Sequence, residues 1–551
     1  MRSVISEKAI GVFLFSLIIM LIPASGMGFV RGDIDGNDKV GLEETIYSLQ
    51  VGAGLQIPLS VTTINVPADH ATIQAAIDAA SDGDTINIAA GTYNEALTIT
   101  RKALVLNGAG SAATIINGGA GHGIMIESSP GVVIENLAVQ GNKGIYARRH
   151  ASIRVGLVNV KNCSDRGIEV DENSTAQITD GTIVESNGRD GIGVLRNSGI
   201  TISGTVITRN NASNGVQAFL GCSVLLAEST FTSSGNGGFG INVSNSSGIY
   251  LATSTVAVAS NSSDGVNITQ SSSAGITSDA SLTISGNAHA NGISVYGASR
   301  FWNGGSIEVE DARQSGLIAS GSCNVSVEGL LAISNCGSIG FNLILSSSAY
   351  VTSGLQVTNC AEFGIAISRG ASLLADPAAS ITVTGTRQPY GIGIGVWENA
   401  VMRSRGGTFR IQNNSGDGFQ VGRNSTLAIR QGDAGLDAVV SGNGGNGLTL
   451  YEQGCACIDP GFSITGNAIH GIAVYHNSEC TARGVTVQNN GDNGINAWNG
   501  VCLFITDATI TGNTSGDVSL AFGSMSSING GSVGTIMCDE SVLSIGEWRC
   551  P

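Results

Sequence analysis

Four stretches of eight residues decide the fold of this chain: residues 187–194 read NGRDGIGV, residues 211–218 NASNGVQA, residues 236–243 NGGFGINV and residues 261–268 NSSDGVNI. Each begins with Asn, has Gly at its fifth position and ends in apolar, variable and apolar residues, and the starts are 24 or 25 residues apart. Alternation of this kind is typical of a β-strand with one buried face. The chain therefore repeats one strand at a nearly fixed interval.

The Gly-apolar-x-apolar half of this unit recurs seventeen times, at intervals of 21 to 29 residues. A period near 24 residues indicates a solenoid in which each repeat forms one coil and stacks on the next. The leucine and asparagine spacing of leucine-rich repeats is absent, and a propeller blade needs about 40 residues. The copies begin at Gly123, Gly144, Gly167, Gly191, Gly215, Gly240, Gly265, Gly292, Gly316, Gly340, Gly364, Gly391, Gly418, Gly447, Gly471, Gly494 and, with Asp in the Gly slot, Asp517.

Composition narrows the class of protein further. The 551 residues include 79 Gly, only 8 Pro and 12% charged residues, and the formal net charge is −16. Collagen is excluded because no Gly-X-Y period accompanies the glycine. The negative charge argues against a general nucleic-acid binder. We expect a structured, acidic repeat protein.

Residues one period apart become neighbours in adjacent coils, so the surface is organised in columns. Asn stands four or five positions before the Gly slot in thirteen copies, which predicts a ladder of stacked side-chain amides. These residues are Asn162, Asn187, Asn211, Asn236, Asn261, Asn287, Asn335, Asn359, Asn414, Asn443, Asn467, Asn490 and Asn513.

The cysteines follow the same register. Three come directly after a ladder Asn: Cys163, Cys336 and Cys360. Three more are predicted to share a second column: Cys455, Cys480 and Cys502. Free Cys packs as a small apolar residue, so we favour buried thiols over disulfides in these columns. A disulfide is favoured only between Cys538 and Cys550, which follow the last repeat.

The N-terminus is typical of an exported protein. Arg2 and Lys8 precede a fourteen-residue apolar run, 9–22, and small residues suited to cleavage follow as far as Gly26. The run is too short to cross a bilayer comfortably, so we interpret residues 1–26 as a signal peptide, with an uncleaved anchor as the alternative. We expect the mature chain to be secreted, at the cell surface or periplasmic, with no transmembrane segment after cleavage.

Residues 33–44, DIDGNDKVGLEE, have the spacing of a twelve-residue calcium loop. Positions 1, 3, 5 and 12 of such a loop supply side-chain oxygens and position 7 a backbone carbonyl. The predicted Ca²⁺ ligands are therefore Asp33, Asp35, Asn37, Glu44 and, through its carbonyl, Lys39. An acidic turn without metal is the alternative. Residues 29–57 resemble a single dockerin repeat, which implies a cohesin-like protein partner, although dockerins use two such repeats.

Residues 66–81 have apolar positions at 73, 76, 77 and 80 that predict an amphipathic helix over the open end of the solenoid. Short strands and turns follow before the repeats begin. This order resembles the right-handed parallel β-helix of the pectin lyase-like superfamily over about residues 62–530. We expect an all-β fold with an N-terminal cap and first coils at 62–118, β-helix repeats at 119–525 and a C-terminal cap at 526–551.

Charged residues concentrate between Lys143 and Arg196, where 8 are basic and 7 acidic. Because the apolar residues at +1 and +3 from the Gly slot point inward, +2 and +4 should face solvent and +5 should begin a turn. Enzymes that the resemblance suggests cleave acidic sugars by proton abstraction or glycosidic bonds with paired carboxylates. The catalytic hypothesis therefore takes Arg149 or Arg196 as proton abstractor and two carboxylates as metal or acid/base groups, Asp171 and Glu172. The alternative is a solvated face of paired charges.

Aromatic residues occupy position +4 in three consecutive coils: Tyr451, Tyr475 and Trp498. Sugar faces stack on exposed rings, so this column predicts a glycan-binding groove. The predicted substrate-binding residues are Arg423, Tyr451, Glu452, Tyr475, His476 and Trp498. Trp397 and Glu398 lie one or two coils earlier. The alternative is a ladder of rings that pack on one another.

Two functions remain open from the sequence. The first is an exported carbohydrate-active protein that binds an extracellular polysaccharide and, if it is an enzyme, cleaves it as a lyase or glycoside hydrolase. The second is a non-catalytic surface or adhesive solenoid that binds partners through its exposed ladders. Because the superfamily contains both kinds of protein, the fold does not choose between them. The signature motifs of polygalacturonases and pectate lyases are absent.

Overall fold

The computed structural model describes residues 61–287, 291–539 and 541–542, and the backbone of 544–546. From Thr63 onward the chain is one compact unit. Its strands pair in parallel with strands of the coils before and after them, and almost no helix is present among the described residues. The predicted parallel β-solenoid is confirmed.

Each coil contributes strands to three ladders, named here sheets 1, 2 and 3. Sheet 1 contains the Gly-apolar-x-apolar strands: Leu97–Thr100, Ile124–Glu127, Ile145–Arg148, Ile168–Val170, Ile192–Leu195, Val216–Phe219, Ile241–Ser244, Val266–Ile268, Ile293–Tyr296, Leu317–Ser320, Ile339–Ile344, Phe363–Ser368, Ile392–Trp397, Phe419–Gly422, Leu448–Tyr451, Ile472–Tyr475, Asn493–Trp498, Gly516–Ala521 and Ile536–Cys538.

Sheet 2 follows sheet 1 in each coil. Its strands are Thr63–Val66, Thr85–Ile88, Leu104–Gly108, Val132–Glu135, Ser152–Gly156, Thr175–Ile178, Gly248–Ala252, Ser273–Ile276, Arg300–Asn303, Asn324–Val327, Ser348–Val351, Ser372–Ala375, Val401–Arg405, Thr426–Arg430, Cys455–Ile458, Glu479–Arg483, Cys502–Thr506, Met525–Asn529 and Ser544–Gly546.

Sheet 3 completes the coil. Two long strands run through sheets 2 and 3 without a break: Gly199–Arg209 and Ser223–Ser234. The other strands of sheet 3 are Gly91–Tyr93, Thr114–Asn117, Ala138–Gln140, Asn159–Lys161, Thr182–Glu185, Thr255–Ala259, Ser281–Ser285, Ser306–Glu310, Leu330–Ser334, Gly354–Thr358, Ser380–Thr384, Gly407–Gln412, Leu436–Ser441, Phe462–Thr465, Thr486–Gln488, Thr509–Thr511 and Ser532–Val533.

In the copies that have glycine in the slot, no side chain would fit there; the last copy has Asp517. A Cβ at Gly240 would stand 2.2 Å from a methyl carbon of Val258 in sheet 3 and 2.7 Å from the carbonyl oxygen of Gly265 in the next coil. Contacts this short would force the backbone to move. Glycine at this point therefore lets sheets 1 and 3 meet closely, and the apolar residues at +1 and +3 form one continuous core.

The twelfth copy of the repeat was assigned two residues too early. Its sequence, Gly391-Ile-Gly-Ile-Gly-Val, contains the motif twice. The structure pairs Ile365 with Ile394, which puts Gly393 and not Gly391 in the slot. Gly391 instead has a φ of +67°, a left-handed conformation that favours glycine. The correction moves Trp397 to position +4.

A ladder of buried asparagines runs along the solenoid, as predicted. The side-chain nitrogen of Asn211 donates to the side-chain oxygen of Asn236 at 3.0 Å, and Asn236 donates in the same way to Asn261 at 2.9 Å. The same oxygen of Asn236 also accepts from the backbone N–H of Asn211. Ten of the thirteen predicted residues form this ladder, in two runs: Asn187, Asn211, Asn236, Asn261 and Asn287, then Asn414, Asn443, Asn467, Asn490 and Asn513.

The other three asparagines are not in the ladder: Asn162, Asn335 and Asn359. Each lies one position earlier, in a left-handed conformation at the turn. The following cysteine takes the ladder position, since the N–H of Cys163 donates to the side-chain oxygen of Asn187 at 3.0 Å. The prediction was wrong for these three residues because it treated the position four residues before the slot and the position five residues before it as one column.

The cysteines from Cys163 to Cys502 are free thiols. Cys336 and Cys360 lie in adjacent coils, and a hydrogen bond to Cys360 helps to raise the pKa of Cys336. The second predicted column is wrong in one member: Cys455 and Cys502 both pair with Glu479, and Cys480 is the inward neighbour of that residue. Cys538 is disulfide-bonded, and Cys550 lies outside the described residues.

A seven-residue helix, α1, spans Ile73–Ala79 near the first coils. The side-chain oxygen of Thr72 accepts from the N–H of Ala75 and caps its N-terminus, and Ile73, Ala76 and Ile77 are buried. Whether this helix serves as a cap stays a prediction. At the other end, the strand Met525–Asn529 spans the predicted boundary at 526, and strand pairing continues beyond it.

We predict that Asn236→Ala lowers the free energy of unfolding by about 2 kcal/mol, because it leaves the buried N–H groups of Asn211 without an acceptor. Urea unfolding of the full chain measures the change. Thr232→Ala, on the outward face of the neighbouring strand, is the control and should change stability by less than about 0.5 kcal/mol. Equal effects of the two substitutions would contradict a stabilising ladder.

Candidate functional site

The outer face of sheet 1 presents the columns at −1, +2 and +4 from the slot, and +5 lies in the adjoining turn. Position +2 is less exposed than the sequence analysis expected, since Tyr146, Glu169 and Gln217 are all buried. Long side chains from the neighbouring columns cover them: the ammonium of Lys143 lies 4.0 Å from the ring centroid of Tyr146. Position +4 and the turn at +5 therefore provide most of the accessible surface.

The predicted catalytic residues form one network, the charged patch, with Glu127 and Arg148. Asp171 is 0% exposed, and both of its carboxylate oxygens accept from the guanidinium of Arg196, one of them at 2.7 Å. Arg196 also lies 3.5 Å from Glu172. Arg149 contacts Glu172 at 3.4 Å and Glu127. The four predicted residues are thus brought together, as alternating charges in adjacent coils.

A second group of charges lies behind this network and is more deeply buried. Glu169 accepts from Lys143 at 2.7 Å and from Arg166 at 2.9 Å, and Arg166 also donates to Asp190 at 2.7 Å. Arg166 and Asp190 lie at −1, a column to which the sequence analysis gave no role. Lys143, Arg166 and Glu169 line a shallow depression of ≈ 300 Å³ together with Arg196.

Ion pairing changes what this patch can do chemically. The hydrogen bond to Asp171 raises the pKa of Arg196, which makes its guanidinium a poorer proton abstractor. Asp171 also accepts from the N–H of Glu172 at 2.8 Å, so its oxygens are fully engaged. The geometry supports a charged, structurally paired surface more strongly than it supports proton abstraction by Arg196.

The aromatic groove lies further along the same face and is formed by Phe363, Tyr390, Trp397 and Tyr451. It encloses ≈ 570 Å³, within the size range of small-molecule pockets. The ring of Phe363 stacks on Tyr390 with centroids 5.2 Å apart and meets Trp397 edge to face at 5.0 Å. Tyr390 is 57% exposed. These rings present apolar faces to solvent at one side of the groove.

Two glycines let the rings lie flat on the sheet. A Cβ at Gly395 would stand 1.8 Å from the ring of Trp397, and a Cβ at Gly422 would stand 2.5 Å from the ring of Tyr451. Each ring therefore covers the backbone of a neighbouring glycine instead of projecting into solvent. The face of each ring, and not only its edge, is available for contact.

The aromatic column continues beyond the groove in the order that the sequence analysis gave. Strand register pairs Tyr475 with Trp498, and Tyr451 precedes Tyr475 by one coil. Trp498 is 38% exposed and meets His476 and Phe522 edge to face at 5.8 and 5.2 Å. The rings thus also support one another, as the alternative interpretation expected.

An alternating ladder of charges borders the groove at position +5. Glu398 contacts Arg369 at 3.3 Å and Arg423 at 3.1 Å, and Arg423 contacts Glu452 at 3.4 Å. All four side chains are exposed. The ladder repeats the arrangement of Arg149, Glu172 and Arg196 in the charged patch, so opposite charges pair in both charged runs of this column.

A partly buried polar cluster lies behind Tyr475. Asn496 lies 3.4 Å from the hydroxyl of Tyr475 and 3.0 Å from Nε2 of His470. Nδ1 of His470 accepts from the N–H of Asn493, and burial lowers the pKa of the His470 ring. A neutral His470 whose Nδ1 accepts carries its proton on Nε2, so it can hold Asn496 only through the oxygen of that side-chain amide.

Sequence reasoning missed two residues of the groove, Phe363 and Tyr390. Phe363 occupies −1, and Tyr390 lies in the loop that lengthens this coil. The signal was present in the interval between Gly364 and the corrected slot Gly393, which is 29 residues and longer than the common period of 24. A coil that is lengthened beside an aromatic column predicts that residues of the added loop belong to the groove.

The predicted calcium ligands, the signal peptide and the dockerin-like repeat lie outside the described residues. Among the residues that are described, no cluster of three or more His, Cys, Asp or Glu side chains is arranged to hold a metal ion. In the same part of the chain, no helix has the length and hydrophobicity needed to cross a membrane.

Comparison with known proteins agrees with the architecture. Residues 143–303 match the protein family described as "Right handed beta helix region". No curated protein matches the chain. The chain is therefore similar, over that segment, to right-handed β-helix proteins.

Several solved structures resemble the chain at low identity. An alginate lyase from Paenibacillus sp. str. FPU-7 is 16% identical with a TM-score of 0.35, over 45% of this chain and 95% of that one. The catalytic unit of a GH87 alpha-1,3-glucanase from Streptomyces thermodiastaticus strain HF3-3 is 13% identical with a TM-score of 0.36, over 64% and 69%. A mannuronan C-5 epimerase A-module from Azotobacter vinelandii is 13% identical with a TM-score of 0.28, over 65% and 94%. Likeness at this level gives no information on what this chain does.

We predict that Arg196→Gln lowers the free energy of unfolding by about 2 kcal/mol, because it leaves the buried carboxylate of Asp171 without its cation. Asp171→Asn in the same chain should recover most of the loss. Urea unfolding of the single and double variants measures both. Arg369→Gln removes the more exposed pair with Glu398 and is the control. If the double variant is no more stable than Arg196→Gln, the pairing is not what stabilises this site.

Proposed function

We propose that this protein binds an extracellular polysaccharide through the aromatic groove on sheet 1. The observation that carries the proposal is the groove itself, in which Phe363, Tyr390, Trp397 and Tyr451 line a cavity of ≈ 570 Å³. Leaving large apolar surfaces in water is unfavourable, and exposed apolar patches are characteristic of binding sites. Pyranose rings present apolar C–H faces that pack on such rings, while their hydroxyl groups need hydrogen-bonding partners.

The border of the groove supplies those partners. Arg369, Glu398 and Arg423 line it beside the rings, and Asn342 and Gln420 contribute amides from position +2. Donors and acceptors next to a ring face suit a ligand with many hydroxyl groups better than a purely apolar one. The column continues through Tyr475, His476 and Trp498, which extends the proposed contact along a polymer.

The proposal extends to cleavage of the bound polymer. The candidates are Arg149, Asp171, Glu172 and Arg196 in the charged patch, as in the catalytic hypothesis. Arg149 is the better proton abstractor of the two arginines, because its partner Glu127 is partly exposed, whereas the carboxylate that holds Arg196, Asp171, is fully buried. The alternative is a non-catalytic adhesive solenoid, which the repeated pairing of opposite charges at position +5 favours.

We predict that purified protein binds at least one member of a polysaccharide panel and that Trp397→Ala weakens this binding about tenfold or more, because it removes the largest ring face of the groove. Affinity electrophoresis and calorimetry with neutral and acidic polymers measure the effect. Tyr250→Ala, which removes a partly buried ring of sheet 2, is the matched control and should leave binding unchanged.

The same panel distinguishes the two versions of the function. Release of unsaturated or reducing ends that is lost in Arg149→Ala would support an enzyme. Binding without turnover would support the adhesive solenoid. If no polymer binds, or if Tyr250→Ala is as damaging as Trp397→Ala, the aromatic groove is not a polysaccharide site.

We also propose, from the sequence alone, that residues 1–26 direct export and that residues 33–44 bind Ca²⁺. Such a chain would act at the cell surface, in the periplasm or in the medium. The carboxylates at positions 1, 3 and 12 of the loop would supply most of the attraction for the ion. The comparisons give no support to a cohesin-like partner.

We predict that the full chain binds one calcium ion and that Asp33→Asn with Asp35→Asn abolishes this binding, because both changes remove ligand charge. Calorimetric titration with CaCl₂ measures it. Asp38→Asn alters an acidic residue of the same loop that is not a predicted ligand, and it should retain binding. Equal loss in both proteins would show that only the general negative charge of the segment attracts the ion.

A further inference from the structure

Three arginines stand close together on the outer face of sheet 2: Arg403, Arg405 and Arg430. Arg403 and Arg405 lie two positions apart on the strand Val401–Arg405, so they point to the same side. Arg405 pairs directly with Arg430 of the next coil. All three side chains are exposed. This group, the arginine cluster, lies on a different sheet from the aromatic groove.

The arginine cluster is not neutralised within the chain. Among the described residues, none of its members takes part in an ion pair or a side-chain hydrogen bond. Carboxylates flank it in the same column, Asp376 in the coil before and Asp459 in the coil after. Asp376 accepts from the hydroxyl of Tyr350 at 2.8 Å, and Asp459 accepts from the N–H of Gln431 at 3.2 Å. Each carboxylate accepts from a local neutral donor, and neither forms an ion pair with the arginine cluster.

Two like charges directly opposite in neighbouring strands are unfavourable. In the two charged runs at position +5 stacked charges alternate, as in Arg149, Glu172 and Arg196 or in the ladder beside the aromatic groove. Where Lys143 and Arg166 stack at position −1, both pair with Glu169. The chain is acidic overall, with a net charge of −16, so carboxylates for pairing are abundant. The arginine cluster is therefore a cationic group that the chain itself does not pair, and its N–H donors are available to a partner from outside the chain.

We propose that the arginine cluster is a second binding site, which takes the carboxylate or sulfate groups of an acidic polysaccharide. Guanidinium groups bind such oxyanions through paired N–H donors. Neighbouring coils are about 4.8 Å apart, so successive anionic groups of one polymer can reach Arg405 and Arg430 together. This inference rests on the proposed function, because it names the chemical class of the glycan, but it depends on charge and not on the groove.

The test compares two pairs of polymers that differ in charge: dextran sulfate with dextran, and polygalacturonate with its methyl ester. We expect wild-type protein to bind the charged member of at least one pair more tightly, and Arg405→Gln with Arg430→Gln to weaken that binding about tenfold or more. Added NaCl should weaken the wild type more than the variant. Arg300→Gln, an exposed arginine on the same sheet with no arginine neighbour in its column, is the control and should bind as wild type does.

Each outcome separates this inference from the proposed function. If charged and neutral polymers bind equally, or if Arg300→Gln is as weak as the double variant, the inference is wrong while the aromatic groove can still bind glycan. If the double variant loses binding and Trp397→Ala does not, the arginine cluster stands and the groove proposal falls. Binding of double-stranded DNA in preference to both acidic polysaccharides would also overturn the inference. Thermal unfolding of each variant should match the wild type, because none of these arginines contacts the core.

Discussion

The architecture depends on a close approach that only glycine permits. At the glycine slots of sheet 1, a Cβ would collide with the carbonyl oxygen of the next coil and with a side chain, Asn211 of the ladder at Gly191 and Val258 of sheet 3 at Gly240. Because these slots must stay empty, the coils that contain them are held in one register relative to their neighbours. Columns of side chains on the outer faces follow from that register. The aromatic groove, the charged patch and the arginine cluster all exist because residues about 24 positions apart become neighbours.

Stacking in register also constrains the side chains, because equivalent side chains of adjacent coils are brought within about 4.8 Å of each other. Side-chain amides can stack in this way, since each Asn of the ladder donates to one neighbour and accepts from another. Charged groups cannot, and the turn at position +5 therefore alternates Arg and Glu. Aromatic rings are separated by a glycine in one place, Gly422 between Trp397 and Tyr451, and elsewhere pack on one another, as Trp498 and Phe522 do. Amides, charged groups and aromatic rings thus stack from coil to coil in different ways.

The sequence alone was sufficient for the period, the strands and the order of the aromatic column, because all three depend on alternation that repeats many times. The prediction from sequence was wrong where the assignment depends on a register shift of one or two residues. The doubled motif at Gly391 and Gly393 offered two slots, and Asn162 was taken for the ladder residue in place of Cys163. In a strand, a shift by one residue exchanges the inside for the outside, which is also why Cys480 was misplaced. Phe363 and Tyr390 were missed because −1 and a lengthened loop were not treated as surface.

Side chains that are satisfied by stacking are explained by the fold, and side chains that are not satisfied need a separate explanation. A charge that alternates with its neighbours is explained by the fold, and so the pairing of Asp171 with Arg196 needs no ligand to account for it. The arginine cluster breaks the same rule, since Arg405 and Arg430 are direct neighbours without a carboxylate partner. Exposed rings that pack on one another, such as Trp498 and Phe522, are likewise partly explained by stacking. The features that point outward to a ligand are those that stacking does not satisfy: the open groove beside Trp397 and the unpaired cations of sheet 2.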